Sequence, residues 1–209
     1  MSARFRHLFL LWAVVAAISL HAAAGPQTIL FFGDSLTAGH GLRNPGAEAF
    51  PALIQTKIDH AHLRWRVIAA GLSGETTAGG LRRVDWVLQQ HVDIFVLALG
   101  GNDGLRGIEP AVSRQNLQGI IDRVRAKYPA AKIVLAGMQM PEMLGEGYAR
   151  DFDAIYPALA AENKVSLVPV LLAGVGGVPE LNQGDGIHPT PEGHAIVADN
   201  VWKVLRPLL

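Results

Sequence analysis

Two segments far apart in the sequence carry side chains that could together cleave an ester. Ser35 follows the apolar run Ile29–Phe32 after a short Gly-Asp turn. His188 lies near the other end of the chain, and Asp185 precedes it by three positions. A serine hydroxyl is a weak nucleophile until a base removes its proton. Because an imidazole can take that proton while a carboxylate orients the ring, these three residues predict a serine hydrolase.

Such an enzyme also needs donors that stabilise the negative charge developing on the carbonyl oxygen. The sequence offers three candidates, which are the backbone N–H of Ser35, the backbone N–H of Gly74 and the side-chain amide of Asn102. Taken singly, each is ordinary loop chemistry, since glycine serves turns and asparagine often caps them. An isolated Asp-x-x-His segment is equally weak, because Asp185 could simply cap a turn. The prediction depends on all of these residues occurring together.

The elements that must position these residues alternate along the chain. Continuous runs of Val, Ile, Leu and Ala are typical of parallel strands covered on both faces. Segments between them repeat apolar residues every three or four positions, as in Phe50-Leu53-Ile54-Ile58, which predicts helices. This alternation indicates a doubly wound α/β sheet in a single domain. The predicted strands are Thr28–Phe32, Trp65–Ala70, Ile94–Leu99, Ile133–Gly137 and Val165–Val168.

The polar clusters fall where the predicted strands end. Gly33-Asp34-Ser35 follows the first strand, Ser73–Thr76 the second and Gly100–Asp103 the third, while Asp185–His188 precedes the last predicted helix. Ligands of open α/β sheets bind beyond the carboxyl ends of the strands. We therefore expect the clusters to meet at one edge of the sheet.

Four blocks of the sequence resemble, in order, those of the SGNH (GDSL) hydrolase superfamily. The blocks are Gly33-Asp34-Ser35-Leu36, Ser73-Gly74-Glu75-Thr76, Gly101-Asn102-Asp103 and Asp185-Gly186-Ile187-His188-Pro189. Two longer strings, Gly100–Gly107 and Ala154–Pro157, are similar to the branch of bacterial periplasmic thioesterases, lysophospholipases and arylesterases. The resemblance extends from Ile29 to about Leu205.

This resemblance implies a role for each matching residue. Ser35 would be the nucleophile, His188 the base and Asp185 its orienting acid, while Ser35, Gly74 and Asn102 would form the oxyanion hole. The implied fold is a flavodoxin-like three-layer α/β/α sandwich with a five-stranded parallel sheet of order 2-1-3-4-5. The implied activity is hydrolysis of aryl or short- to medium-chain acyl esters, extending to thioesters or lysophospholipids.

The segment Met138–Tyr148 corresponds to a substrate-covering loop in relatives. We expect its apolar residues to bind substrate, since methionine forms an adaptable apolar wall. Its carboxylates, Glu142 and Glu146, would disfavour a densely anionic substrate, although both could simply be solvated. The predicted substrate-binding residues are Met140, Pro141, Met143 and Leu144.

The N-terminus predicts export. A basic start at Arg4 and Arg6, an apolar run from Leu8 to Leu20 and three alanines at 22–24 are typical of a cleaved secretory signal peptide. An uncleaved N-terminal anchor is the alternative. We expect residues 1–24 to be the signal and residues 25–209 to form one domain located in the periplasm or secreted.

Composition excludes several other classes of function. The chain has no cysteine and equal numbers of basic and acidic residues, 18 of each, so it offers neither a thiolate nor a basic surface for nucleic acid. His60 and His62 are not spaced as metal ligands, and Gly174–Pro179 lacks the third glycine of a dinucleotide loop. We predict no metal, no cofactor and no stable membrane insertion after signal cleavage. A monomer is favoured, with a small-molecule or lipid ester as substrate.

Two other functions stay open at this point. A carbohydrate O-deacetylase could use the same catalytic set, and an open cleft with exposed aromatic residues would favour it. Trp65, Trp86 and Trp202, however, fall in or beside predicted core segments. A non-catalytic binding module on the same fold is the second alternative, and retention of every catalytic block argues against it.

Overall fold

A computed structural model describes residues 25–141 and 145–209. Five parallel strands form one sheet in the order β2-β1-β3-β4-β5. The prediction of an α/β fold with this strand order is confirmed. The predicted signal peptide lies outside the described residues. The strands are β1 Gln27–Gly33, β2 Trp65–Gly71, β3 Ile94–Ala98, β4 Lys132–Ala136 and β5 Ser166–Val168.

The register of the central strands brings their carboxyl ends level. Gly33 at the end of β1 pairs with Gly71 of β2 and with Ala98 of β3. A Cβ at Gly33 would overlap with Thr37 and lie 2.7 Å from the Ala98 carbonyl oxygen, so only glycine lets the chain turn back this closely. The loops that follow these three strands therefore start side by side.

Helices cover both faces of the sheet. The chain moves outward from β1 to β2 through α3 and then back past β1 to β3 through α4. Since parallel crossovers are right-handed, the reversal places α3 and α4 on opposite faces. Helix α3 packs on α9, while α4 and α8 pack on α6. The helices are α1 Ser35–Ala38, α2 Pro45–Glu48, α3 Phe50–His60, α4 Thr77–Val87, α5 Gly101–Leu105, α6 Pro110–Lys127, α7 Glu146–Asp153, α8 Ile155–Asn163 and α9 Pro191–Leu205.

The core lies on both sides of β1 and β3. Ile29–Phe32 and Ile94–Leu99 are completely buried, as continuous apolar runs in a covered parallel sheet should be. Trp65 is buried, but Trp86 is 69% exposed on α4, so the expectation that it belongs to the core is wrong. Among the helices of residues 25–141 and 145–209, none has both the length and the apolar character to span a bilayer.

Candidate active site

The turn after β1 presents Ser35 at the edge of the sheet. Ser35 is the first residue of α1, and Asp34 caps that helix by accepting a hydrogen bond from the Leu36 N–H at 3.0 Å. This cap is a common way to satisfy the free N–H groups of a helix start. Because the Asp34 side chain closes this turn, the Ser35 hydroxyl is held at the wall of a cavity.

Ser35, His188 and Asp185 form one chain of hydrogen bonds. His188 Nε2 lies 2.9 Å from Ser35 Oγ, and His188 Nδ1 lies 2.6 Å from Asp185 Oδ2. The first distance lets the imidazole accept the serine proton, and the second orients the ring for that task. The three residues that the sequence predicts as a catalytic set are thus adjacent in space.

Asp185 is held in its charged form by local hydrogen bonds. Its Oδ1 accepts the backbone N–H groups of His188 at 3.0 Å and of Ile187 at 2.9 Å. The His188 backbone N–H, then the imidazole and then the Ile187 N–H lower the pKa of Asp185 well below its ordinary value. A carboxylate that stays ionised can stabilise the imidazolium that forms during proton transfer.

The segment before α9 carries this pair toward Ser35. The Gln183 N–H donates to the His188 carbonyl oxygen at 2.7 Å, which closes the turn that contains Asp185. The Gln183 side chain donates to the carbonyl of His40 at 2.7 Å and so connects the turn to the segment after α1. The His40 ring lies 4.6 Å from that of His188. Neither Gln183 nor His40 belongs to a recognisable motif, and sequence analysis missed both.

Asn102 lies beside the turn that carries Ser35, in the first turn of α5. Its amide donates to Asp34 Oδ2 at 3.3 Å, so one carboxylate caps the serine turn and also orients Asn102. Asp34 is 1% exposed, and this burial raises the pKa of its carboxyl to about 6. The hydrogen bonds from Leu36 and Asn102 partly oppose that shift. The position of Asp34 directly before Ser35 was the only sequence signal for this role.

A second buried carboxylate joins the Asn102 loop to the loop that carries Gly74. Asp103, which is completely buried, accepts the Thr77 N–H at 2.8 Å, the Thr77 hydroxyl at 2.5 Å and the Ser113 hydroxyl at 3.2 Å. Thr77 is the first residue of α4, shortly after Gly74. Sequence analysis assigned no role to Asp103, because its partners lie on other elements.

Gly74 itself borders a neighbouring depression rather than the cavity of Ser35. Its φ is +79°, a conformation that favours glycine. The Arg106 side chain, directly after α5, donates to the Gly74 carbonyl oxygen at 3.0 Å. The loops of Gly74 and Asn102 are therefore connected twice, through Asp103 and through Arg106.

Ser35, His188 and Asn102 line a cavity of about 650 Å³ with predominantly apolar walls. Met140 and Pro141 line it as predicted, whereas Met143 and Leu144 lie outside the described residues. The larger apolar members of the remaining wall include four residues from segments that the sequence analysis names, which are Leu36, Leu105, Met138 and Ile187. Val170 and Leu172, which follow β5, belong to no recognisable motif, and sequence analysis missed them.

A serine, a histidine and a carboxylate in one hydrogen-bonded chain, at the carboxyl edge of a doubly wound sheet, define a serine hydrolase of the α/β class. The sequence comparisons are consistent with this class. Residues 31–196 match the GDSL-like Lipase/Acylhydrolase family, and the chain belongs to that family. The prediction of a carboxylic ester hydrolase of the SGNH (GDSL) superfamily is thereby confirmed.

Similar proteins cover almost the whole chain. The esterase TesA of Pseudomonas aeruginosa is 41% identical over 201 residues, which are 96% of this chain and 98% of that protein. The thioesterase 1/protease 1/lysophospholipase L1 of Escherichia coli strain K12 is 39% identical over 188 residues, or 90% of this chain and 87% of that protein. A crystal structure of TesA superposes with a TM-score of 0.83 at 42% identity, covering 88% of this chain and 100% of that chain.

Proposed function

We propose that this chain hydrolyses carboxylic esters with an apolar acyl or aryl group through an acyl-enzyme on Ser35. The observation that carries the proposal is the hydrogen-bonded series from Ser35 through His188 to Asp185, at the wall of the apolar cavity. Membership in the GDSL-like Lipase/Acylhydrolase family supports the same chemistry.

In the first step His188 Nε2 takes the proton of Ser35 Oγ while that oxygen bonds to the ester carbonyl carbon. The carbonyl oxygen becomes an oxyanion, and the N–H groups of Ser35 and Gly74 and the amide of Asn102 would stabilise it. When the tetrahedral intermediate collapses, the bond to the alcohol oxygen breaks. The imidazolium of His188 gives its proton to that oxygen, and the acyl group stays on Ser35.

The second step repeats this chemistry with water. His188 takes a proton from a water molecule whose oxygen bonds to the acyl carbon, and the same donors stabilise the new oxyanion. The bond to Ser35 Oγ then breaks, the proton returns to Ser35, and a carboxylic acid leaves. Asp185, ionised throughout, stabilises the imidazolium in both steps.

The walls of the cavity support short- to medium-chain acyl or aryl groups as its occupants. Leu172, Met140 and Ile187 offer aliphatic surface and no charge. Thioesters and lysophospholipids extend the proposal, because a similar protein of Escherichia coli is named for both activities. Among the described residues that line the cavity there is no Trp, Tyr or Phe, and the exposed Trp86 lines neither this cavity nor the depression beside Gly74. The described part of the chain therefore does not form the aromatic cleft that would favour a carbohydrate O-deacetylase.

Two measurements test the proposal together. A series of p-nitrophenyl esters from acetate to palmitate should give the highest kcat/KM at short to medium chain length, because the cavity is finite and apolar. A fluorophosphonate reagent should add one covalent group, found by peptide mass spectrometry on Ser35 and absent from Ser35→Ala. Labelling of another residue, or ester turnover that Ser35→Ala retains, would exclude the mechanism.

We also propose that the chain is exported, because residues 1–24 have the pattern of a secretory signal. The experiment is expression of the full chain in a Gram-negative host, followed by N-terminal sequencing of the protein from the periplasmic fraction. A sequence starting near Gly25 is expected. Recovery of the protein with Met1 retained in the membrane fraction would indicate the anchor instead.

A further inference from the structure

A second depression, of about 500 Å³, lies beside Gly74. It is formed by the loop after β2, the first turns of α4 and the residue that follows α5. Four charged side chains line it, in contrast to the apolar cavity of Ser35. They are Glu75, Arg82, Arg83 and Arg106.

Two of these four charges compensate each other. Glu75 is 6% exposed, and its carboxylate pairs with the Arg83 guanidinium, whose Nε donates to Oε1 at 2.7 Å. Arg83 is engaged further, because it donates to the Ala70 carbonyl oxygen at 3.0 Å and stacks over the Phe32 ring at 4.3 Å. This pair therefore contributes structure but little net charge to the depression.

The other two arginines bring net positive charge. Arg82 is exposed on α4, and within residues 25–141 and 145–209 it pairs with no carboxylate. Asp85, one turn further along α4, is already paired with Arg123. Arg106 is also exposed, and within the described residues the one hydrogen bond of its side chain is to the neutral carbonyl of Gly74. The depression thus holds a formal charge of about +2 in a chain whose overall formal charge is zero.

The depression adjoins the site of the ester. Leu105 lines the apolar cavity and the next residue, Arg106, lines the depression, so α5 separates the two. A Cβ on Gly74 would lie 3.7 Å from Arg106 Nη2, which places the guanidinium directly alongside that glycine. An ester whose carbonyl oxygen accepts the Gly74 N–H, as proposed above, would therefore lie next to the loop that Arg106 contacts.

The two cavities differ in the half of an ester that they suit. The apolar walls around Ser35 suit the acyl chain, because its burial there removes hydrocarbon from water. The alcohol half would then face the depression. There the guanidinium groups of Arg82 and Arg106 could donate hydrogen bonds to a charged group. Two glutamates led us to expect discrimination against densely anionic substrates. Glu146 lines neither cavity, and Glu142 lies outside the described residues.

We propose that Arg82 and Arg106 form a subsite for a phosphate monoester on the alcohol half of the substrate, as in an acylglycerol phosphate. The inference rests on the proposed function, since it assumes that Ser35 attacks the ester. A phosphate monoester carries a charge of about −1.5 to −2 near pH 7, which matches two guanidinium groups. Guanidinium N–H groups also fit tetrahedral oxyanions through paired hydrogen bonds.

Three substrates with one short acyl chain, used below their micelle concentrations, test the subsite. They are a neutral monoacylglycerol, an acylglycerophosphocholine and an acylglycerol 3-phosphate. We expect kcat/KM to rise in that order. Arg82→Gln should lower kcat/KM for the acylglycerol phosphate about 10-fold, mainly through KM, because a charged hydrogen bond is lost. Its kcat/KM for the neutral ester should stay within about twofold of the parent value, because that ester makes no charged contact.

Two further variants provide the controls. Arg82→Lys keeps the charge without the planar fork and should retain part of the preference. Arg206→Gln removes an exposed arginine that lines neither cavity, and it should leave all three substrates unaffected. Arg106 is unsuitable for this comparison, because its loss would also release Gly74.

The subsite is overturned if the parent enzyme does not prefer the phosphate ester, or if Arg82→Gln changes the charged and neutral esters equally. Both outcomes leave the proposed function intact as long as the neutral ester is hydrolysed through Ser35. Failure of the proposed function has a different signature, namely no hydrolysis of any ester or turnover that Ser35→Ala retains.

Discussion

The two sides of the candidate active site are held in place by different means. On one side Ser35 and Asp185 each form a hydrogen bond with the His188 ring, and the Asp185 side chain is 42% exposed. On the other side, Asn102 and the loop of Gly74 depend on the buried carboxylates Asp34 and Asp103, which are 1% and 0% exposed. We call Ser35, His188 and Asp185 the relay side, because they form a short hydrogen-bonded series at the surface. Asn102 and the loop of Gly74 form the anchored side, because carboxylates in the interior hold them.

This difference has an energetic consequence. A buried carboxylate is costly unless its oxygens accept several hydrogen bonds, so Asp34 and Asp103 stabilise the fold only while their donors are present. The partly exposed Asp185 can exchange its partners for water at little cost. We therefore expect variants on the relay side to lose activity alone, and variants on the anchored side to lose both activity and stability.

The largest effect is expected on the relay. Ser35→Ala or His188→Ala should each lower kcat by about 10⁶-fold, and Asp185→Asn by about 10⁴-fold, as in other serine triads. Single-turnover kinetics with a p-nitrophenyl ester would measure these losses. Urea unfolding should give each of these variants a free energy of unfolding close to that of the parent protein. A Ser35→Ala enzyme with substantial activity, or one that is strongly destabilised, would contradict the comparison.

Asn102→Ala tests the anchored side at the donor itself. Loss of one oxyanion donor should lower kcat by about 10²–10³-fold with little change in KM, since the charge it stabilises exists only in the transition state. Because Asp34 also loses a hydrogen bond, the free energy of unfolding should fall by about 1–2 kcal/mol. A change in KM alone would show that Asn102 binds the ground state instead.

Asp103→Asn tests the anchor beneath that donor. An amide cannot accept from both Thr77 groups and from Ser113 as the carboxylate does, so the free energy of unfolding should fall by about 3 kcal/mol. We expect kcat to fall about 10-fold, because the loops of Asn102 and Gly74 lose one of their connections. Ser113→Ala, which removes a single hydrogen bond, serves as the control and should cost about 1 kcal/mol with unchanged kcat. Equal stability losses in the two variants would argue against an anchoring role for Asp103.

The smallest expected effect is a pH dependence of stability. Burial raises the pKa of Asp34 from 3.8 to about 6, so its contribution to stability falls as the pH rises between these values. Burial lowers the pKa of His194 from 6.5 to about 4, so its contribution falls as the pH drops through that range. The two slopes oppose each other in the parent chain.

His194→Asn separates the two contributions, since an amide oxygen could still accept the Phe50 N–H that His194 Nδ1 accepts at 3.3 Å. As the pH falls from 7 to 4.5, the free energy of unfolding of the variant should rise by about 2 kcal/mol relative to that of the parent. Urea unfolding at both pH values measures this difference. If the difference in free energy of unfolding between variant and parent does not vary with pH, then folding does not lower the pKa of His194.

Much of the fold and of the relay could be predicted from the sequence because their signals are local. The run Thr28–Phe32 predicts β1 within one residue at each end, and the close spacing of Asp185 and His188 makes them partners in a short turn. The error at Trp86 has a local cause as well, because its apolar neighbours are buried on α4 while its own side chain faces away from them.

The amino-acid sequence by itself thus determined the sheet and pointed to the proposed nucleophile and the residues that would activate it. Tertiary structure alone decided how the side that carries Asn102 and Gly74 is held and which residues line the two cavities. The hydrogen-bonded partners Asp34 and Asn102 are 68 positions apart in the sequence. Asp103 and Thr77 are 26 positions apart, and Arg106 and Gly74 are 32 positions apart. Such pairs follow from the level ends of β1, β2 and β3, since the register of parallel strands places loops together whatever their separation in the chain.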